Sequence, residues 1–465
     1  MHMEQATRVR PFHTLTRAAV CFVALAGGSA QAENMSGALL KAYRANPDIN
    51  QQRAGVRAAD ELVPKARSGW MPKLNANASA GRQFMEMESR AGSGHSRTWP
   101  RTAGLQASQT LFDGFRTLNS VRQAESQVFG AREQMRQTEQ TVLLAAATAY
   151  MNVLRDTAIL GLRRNNISVL EEQVRQTKVR FQVGEVTRTD VAQAEAALAQ
   201  SNSDAAAAQA VLQGSIASYR QSVGEEPRSL SPAKPVEALL PKKMGDAVAQ
   251  SQVEHPGVAA ALHNADAAQL AVKVAESALY PTATVSAGVT RNMDFLGQSG
   301  NNNTVGLFQG QLNVPLFQGG GEYASIRQAK EQASQARLSA DLARDQVRAQ
   351  VVSAWGQLQA AKAQLISGHA AVAAAEVALN GVREEAKVGQ RTTFDVLNAQ
   401  QTLLNTRVVL VTAQRDRVVA SYSVLAAMGG MNAARLGLTG QLYDPTLHFD
   451  QVKSKLVGTS TPDGR

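Results

Sequence analysis

Cysteine is nearly absent from this chain: Cys21 is the one copy among 465 residues. It lies in an N-terminal stretch expected to be removed, so no disulfide and no thiolate metal site is expected in what remains. Histidine is scarce too. Its seven copies are scattered, with His255 and His263 eight apart, and no H-E-x-x-H, no G-x-S-x-G and no Gly-rich phosphate loop after a strand occurs. These absences argue against an enzyme, a cofactor or a bound metal. Aromatic residues make up 5% of the chain while Ala, Gln and Val form long tracts, which disfavours thick globular cores and fits thin, elongated helical packing. Beyond the N-terminal stretch there is no unbroken apolar run of the roughly 18 residues a spanning helix needs, so no helical membrane span is expected. Contact with a bilayer would have to use strands.

Residues 1–32 have the layout of a secretory signal peptide. Arg8, Arg10 and Arg17 precede a short apolar stretch, Ala18 to Ala26, and Ala30-Gln31-Ala32 supplies an A-x-A cleavage site before Glu33. That apolar stretch is too short for a bilayer, which needs about 20 residues. Without the leader, 45 basic residues stand against 37 acidic ones, a net charge of +8. The charges are interspersed and seldom accompanied by aromatics, which fits solvated helix faces and argues against nucleic acid as a partner.

What the chain does have, it has twice. Lys178-Val-Arg-Phe-Gln-Val-Gly-Glu-Val-Thr-Arg-Thr-Asp-Val191 returns as Arg383-Glu-Glu-Ala-Lys-Val-Gly-Gln-Arg-Thr-Thr-Phe-Asp-Val396, at an offset of 205 that also maps Val121-Arg-Gln-Ala124 onto Ile326-Arg-Gln-Ala329 and Leu111-Phe112 onto Leu316-Phe317. A repeat of this length is duplication of a whole supersecondary unit, not a short-period solenoid. The copies span 33–223 and 243–435. A connector at 224–242, holding Pro227, Pro232, Pro235 and Pro241, separates them, and an aperiodic tail at 436–465, expected to be frayed, follows.

Each copy opens with a helical pattern that ends at a proline, Pro72 or Pro281. Period-two alternation follows: Leu74, Ala76, Ala78 and Ala80 in the first copy, Ala283, Val285, Ala287 and Val289 in the second. A polar loop (Ser89 to Arg97; Gly297 to Asn303) and a second alternating run (Ala103 to Phe112; Val305 to Phe317) complete expected hairpins at 72–112 and 281–317. Aromatics near the strand ends suit a membrane-interface girdle and equally well ordinary core plugs. The period then becomes helical. Val121, Val128, Met135, Val142 and Ala149 recur every seventh residue, and Ile167, Leu170, Val174, Thr177 and Phe181 carry the seam on. The copy marks it with small residues: Ile326, Ala329, Ala333, Ala336, Ala340, Ala343 and Val347. From Phe115 to Phe181 such a helix would run roughly 100 Å, with Gly130 and Gly161 as candidate bends. Val183-Gly184 and Val388-Gly389 end the long helices. Thr187-x-x-Asp190 and Thr392-x-x-Asp395 read as capping boxes opening return helices, so helical hairpins are expected at 114–223 and 321–428.

Four amphipathic strands cannot close a barrel, and an open edge in lipid leaves peptide groups unpaired at several kcal/mol each. Several chains must share one barrel. Three copies would give about 12 strands, a count within the outer-membrane range. A periplasmic coiled-coil adaptor or structural protein without a pore also explains the helices and the export, but it leaves the two matched amphipathic hairpins unexplained.

The duplicated strand-strand-helix-turn-helix order, Leu-Phe-Asp-Gly114 and Leu-Phe-Gln-Gly319 at strand ends, and the tip sequence Val388-Gly-Gln-Arg-Thr-Thr-Phe-Asp-Val-Leu-Asn-Ala399 resemble the TolC-like outer-membrane channel-tunnels of efflux and type I secretion. The resemblance implies a mostly α protein with a membrane β-barrel part: a homotrimer whose 12-stranded barrel sits in outer-membrane lipid and joins an α-helical coiled-coil tunnel across the periplasm. It further implies a tip that opens when a periplasmic adaptor and an inner-membrane transporter dock. Carried over residue by residue, it makes Asp190 and Arg391 partners in a latch on the closed tip, and Asp395 and Asn398 the lining of the constriction. Gly184, Gly389, Thr187 and Thr392 build the tip turns. A tyrosine of that latch is replaced here by Ala386. The second acidic position of the constriction is Asn398, an amide, so weaker cation selectivity is expected than from two carboxylates.

Overall fold

An Asn-Pro pair interrupts the first helical stretch. Asn46 precedes a proline, takes an extended backbone (ψ 128°) and so ends α1 (Met35–Ala45), then caps α2 (Pro47–Asp60) by accepting the Asp48 amide at 2.9 Å. The chain is described here from a computed structural model covering residues 33–89, 92–294, 298–440 and 442–464. The expected signal peptide lies outside these residues. A short α3 (Leu62–Arg67) leads to β1 (Lys73–Ala80), β2 (Gln83–Ser89), β3 (Gly92–Thr98) and β4 (Arg101–Phe112). The polar stretch expected as a loop between two strands is therefore largely a second hairpin, β2 paired with β3, standing apart from the main sheet. Next come α4 (Arg116–Gln182), which passes unbroken through Gly130 and Gly161, and α5 (Arg188–Val223).

The second copy repeats the plan. α6 (Met244–Glu254) gives way at His255-Pro256 to α7 (Pro256–Glu276), where the His255 Nδ1 accepts the Gly257 amide at 3.1 Å. β5 (Thr282–Met293) and β6 (Asn303–Asn313) follow, then α8 (Gly321–Lys387) and α9 (Thr393–Ala427). β6 stops four residues before the expected Phe317, because Pro315 lacks the amide a strand ladder needs. Both α4 and α8 have 67 residues, about 100 Å each. One window of 18 residues in α8, with mean hydropathy 1.3, is long and apolar enough by length and composition to cross a membrane, and 17% of it is buried. The sequence reading had excluded such a segment by requiring unbroken apolar residues, whereas a mean lets interspersed polar residues pass.

The tail is docked, not frayed. Asp444 caps α10 (Pro445–Val452), which lies on α2 with Val452 fully buried, and His448 meets the buried Asp60 carboxylate at 3.0 Å. Arg132 stands 3.7 Å from the same carboxylate, whose pKa burial nevertheless raises. His448→Ala removes the nearer partner of a buried carboxylate and should cost about 1–3 kcal/mol, read as a lower unfolding temperature in detergent.

The main sheet has the order β1-β4-β5-β6, antiparallel throughout, so the hairpins of the two copies join through β4 and β5. The register sorts its side chains. Leu74 faces Ala107, Leu105 faces Val289, and Phe308 faces Ala287, giving one apolar face. Asn75 opposite Gln106, Ser108 opposite Ser286, and Thr284 opposite Gln311 give the other face a polar character. Val305 and Leu307 fall on that polar face while Phe308 and Leu312 fall on the apolar one, so the alternation in β6 changes phase partway along. Leu74, Leu105, Phe308 and Leu312 are all exposed in the single chain.

The largest core lies midway along the helices, where the copies meet. Leu39, Leu143, Tyr150, Tyr219, Leu425 and Met431 pack there, each nearly inaccessible. The heptad seam is buried at Val121, Val128, Met135, Val142, Ala149, Leu170, Val174 and Thr177, while Ile167 is half-buried and Phe181 exposed.

Candidate functional site at the helical tip

The far end of the long helices is built twice from the same local chemistry. In each turn glycine takes the left-handed conformation, φ +80° at both Gly184 and Gly389. The turns close alike: the Gly184 amide donates to the Phe181 carbonyl at 3.0 Å and the Glu185 amide to Arg180 at 2.9 Å, matched by Gly389 to Ala386 at 3.2 Å and Gln390 to Glu385 at 3.0 Å. Paired bonds of this kind satisfy carbonyls that the helix end would leave open. The return helices start with complete capping boxes. Thr187 and Thr392 accept the amides of Asp190 and Asp395, and each carboxylate accepts the backbone amide and hydroxyl of its threonine at 2.7–3.0 Å. These donors hold both carboxyls below their ordinary range: at Asp190 chiefly the Thr187 hydroxyl, at Asp395 chiefly the Thr392 backbone amide.

An ion pair bridges each turn with the charges exchanged between copies. Arg180 reaches Glu185 at 2.9 Å, and Glu385, which the repeat aligns with Arg180, receives the guanidinium of Arg391 at 2.8 Å. Both pairs are solvent-exposed, so screening by water and salt leaves each of them weak on its own. Arg391 thus has Glu385 as its partner within the chain and Asp190 has Thr187. The structure does not join Asp190 to Arg391, but both line one cleft of about 910 Å³ between the two hairpins. Glu172, Glu185 and Asp190 line it from the first copy, Arg383, Lys387 and Arg391 from the second, so the walls differ in prevailing charge. Asn398 is exposed one turn beyond Asp395, its carbonyl accepting the Thr402 hydroxyl at 2.8 Å.

Periodicity did not single out a buried polar joint above the tip. Asn166 donates to Ser201 and accepts from Gln400, both at 3.1 Å, tying α4 to α5 and α9. Such a joint fixes the axial register of three helices, since slippage would strand buried amides. In sequence these residues resemble solvated helix positions.

An amphipathic sheet thus stands at one end of a duplicated, elongated helical assembly, with capped turns at the other. The model of the outer membrane efflux protein family matches residues 39–225 and 247–430, and the chain belongs to that family. It is 42% identical over 442 residues to the outer membrane efflux protein BepC of Brucella suis, covering 95% of each chain. It is 26% identical over 454 residues to the outer membrane protein TolC of Escherichia coli, covering 93% of this chain and 89% of that one. Among solved structures, VceC of Vibrio cholerae matches with a TM-score of 0.71 at 22% identity, over 85% of this chain and 96% of that one. The protein is an outer-membrane efflux channel, and its helices extend toward the periplasm.

Proposed function

We propose that three copies of this chain close one 12-stranded barrel, and that their helical hairpins form a tunnel acting as the passive exit duct of a tripartite efflux or type I secretion assembly. The observation that carries this is the state of the four-stranded sheet. Among the described residues β1 and β6 each pair on one side only, and the sheet has one apolar and one polar face. Open edges in lipid would leave several kcal/mol per peptide group unsatisfied, and pairing β1 of one copy with β6 of the next removes them. The apolar face then meets lipid and the polar face lines a water-filled lumen.

The tip is the gate in this reading, the place where a periplasmic adaptor and an inner-membrane transporter act. Arg391 exchanges Glu385 for Asp190 across the cleft in the latched state, and Asp395 and Asn398 line the constriction. Exposed pairs are individually weak, so the latch depends on repetition around three protomers. In planar bilayers the purified protein should form long-lived pores, and Arg391→Ser should raise single-channel conductance. Silence from both proteins would overturn the channel reading, and equal conductance would move the gate away from Arg391.

A further inference from the structure

The end of the main sheet remote from the helices is basic on its apolar face. Arg101 begins β4 opposite Ala80, and Arg291 lies near the end of β5 opposite Ala103, so both fall on the face shared by Leu105 and Val289. Both are exposed. At the helix-side end the four strands hold Lys73 alone among basic residues, and it falls on the polar face opposite Ser108. Pairing runs on from the sheet into the β2–β3 hairpin through the Gly81 amide, which donates to the Pro100 carbonyl at 3.0 Å. The base of that hairpin adds two guanidiniums. Arg82 stacks 4.8 Å from the Phe84 ring and 5.5 Å from Trp99, and Arg97, set opposite Phe84 by the register, lies 5.6 Å from the Phe84 ring. Both aromatics are exposed in the single chain. Stacking uses the flat faces of a guanidinium and leaves the N–H donors at its edges available. Among the described residues Asp294 meets Arg101 at 3.2 Å, while Arg82, Arg97 and Arg291 have no carboxylate within ion-pair distance. The hairpin's own Glu86 and Glu88 stand farther out along it, Glu86 paired with His95 at 2.8 Å.

We infer that Arg82, Arg97, Arg101 and Arg291 form, on the outward rim of each protomer, a docking surface for the phosphate groups of outer-leaflet lipids. The inference rests on the barrel reading, in which the apolar face meets lipid. The helices extend toward the periplasm, so the opposite end of the strands lies at the external leaflet. A guanidinium on a lipid-facing surface is disfavoured at hydrocarbon depth and tolerated at headgroup depth, where the strand ends lie. Its fork of donors matches the oxygens of a phosphate, and exposed aromatic rings beside it suit the boundary between acyl chains and water. Three guanidiniums without a carboxylate leave this rim positive, a charge that an anionic headgroup neutralises and a zwitterionic one does not. Closure of the barrel by three copies would repeat the surface three times around it.

The experiment titrates the full-length protein, purified in a neutral detergent, with a fluorescent short-chain phosphatidic acid and with phosphatidylcholine of the same chains. Wild type should prefer phosphatidic acid. Arg82→Gln combined with Arg291→Gln breaks no ion pair and should weaken phosphatidic acid binding on the order of tenfold or more, and Arg291→Gln alone about threefold. The corresponding double change to Lys should keep part of the affinity, since lysine retains the charge without the fork. Millimolar inorganic phosphate should leave the lipid bound. Pores in planar bilayers report whether each variant has closed its barrel, and where the double change prevents closure the single one decides. Equal affinity for the two lipids, or a pore-forming variant that binds phosphatidic acid as wild type does, would overturn the inference. Displacement of the lipid by millimolar inorganic phosphate would overturn it as well, by marking a site for the free ion. Wild-type protein without pores would instead overturn the barrel reading on which the inference stands.

Discussion

Gly114→Ala is expected to destabilise the protein by about 2–5 kcal/mol, whereas Gly319→Ala, at the matched position of the second copy, should cost only about 1–2 kcal/mol. Both glycines turn the chain from strand into long helix with left-handed backbones, φ +66° and +71°. An alanine pays the left-handed penalty at either site. Their surroundings differ. A Cβ on Gly114 would stand 2.6 Å from the Tyr280 Cβ and 2.8 Å from the Ser277 carbonyl oxygen, whereas one on Gly319 would meet nothing within 4 Å. Tyr280 and Ser277 belong to the turn preceding β5, so the clash would force apart the first copy's strand-to-helix corner and the second copy's approach to the sheet. Backbone atoms cannot rotate away as a side-chain tip can, which places this substitution among the overpacking changes that shift the fold. Thermal unfolding of both variants in detergent gives the comparison. If the two fall by the same amount, the contact with Tyr280 and Ser277 is not holding the corner.

The same corner shows how far the sequence could be read. The Asp-Gly and Gln-Gly ends of the alternating runs were visible as strand ends, and the duplication made each visible twice. The contact that distinguishes them was not visible, since Gly114 and Tyr280 are distant in the chain and belong to different copies. The capping boxes were legible for a complementary reason. Thr187 with Asp190 and Thr392 with Asp395 make their bonds within three residues, so spacing specifies geometry. The pair of Arg391 with Glu385 spans six residues across a left-handed turn, and only the turn brings them together. The β2–β3 hairpin escaped notice because its second strand, Gly92–Thr98, carries no apolar alternation. Helix α10 was passed over although Asp444 followed by Pro445 is a helix-start signal, because its single buried apolar residue, Val452, gives no period to detect. The joint of Asn166, Ser201 and Gln400 is the opposite case from the caps. Its three members come from three helices, and no local pattern separates them from surface residues.

The proposed constriction gives the second large expected effect, on permeation. Asp395→Asn is expected to lower the cation-over-anion permeability ratio on the order of threefold to tenfold, the effect of removing a ring of three charges from beside a passing ion after screening at ~0.1 M salt. In the proposed trimer Asp395 repeats around the axis, and Asn398 beside it offers dipoles in place of a second ring of charge. The capping box adds a condition that composition alone would not suggest. The Thr392 amide and hydroxyl both bond the Asp395 carboxylate and depress its pKa, so the group stays ionised as pH falls through the ordinary carboxylate range. A depressed folded-state pKa means that the charge, and the cap that depends on it, are present at neutral pH and are lost only on acidification through the lowered value. Wild-type selectivity should therefore persist below the pH at which a free aspartate would have protonated. Thr392→Val removes one of the two donors, and its selectivity should fade at a higher pH than wild type. A single ring of carboxylates, with Asn398 offering only dipoles beside it, holds a multivalent blocker less firmly than two rings would, so trivalent cations should block weakly. Strong block at low concentration would show more negative charge at the constriction than Asp395 alone supplies, and a pH profile unmoved by Thr392→Val would show that Asp395 does not face the pore as a capped carboxylate.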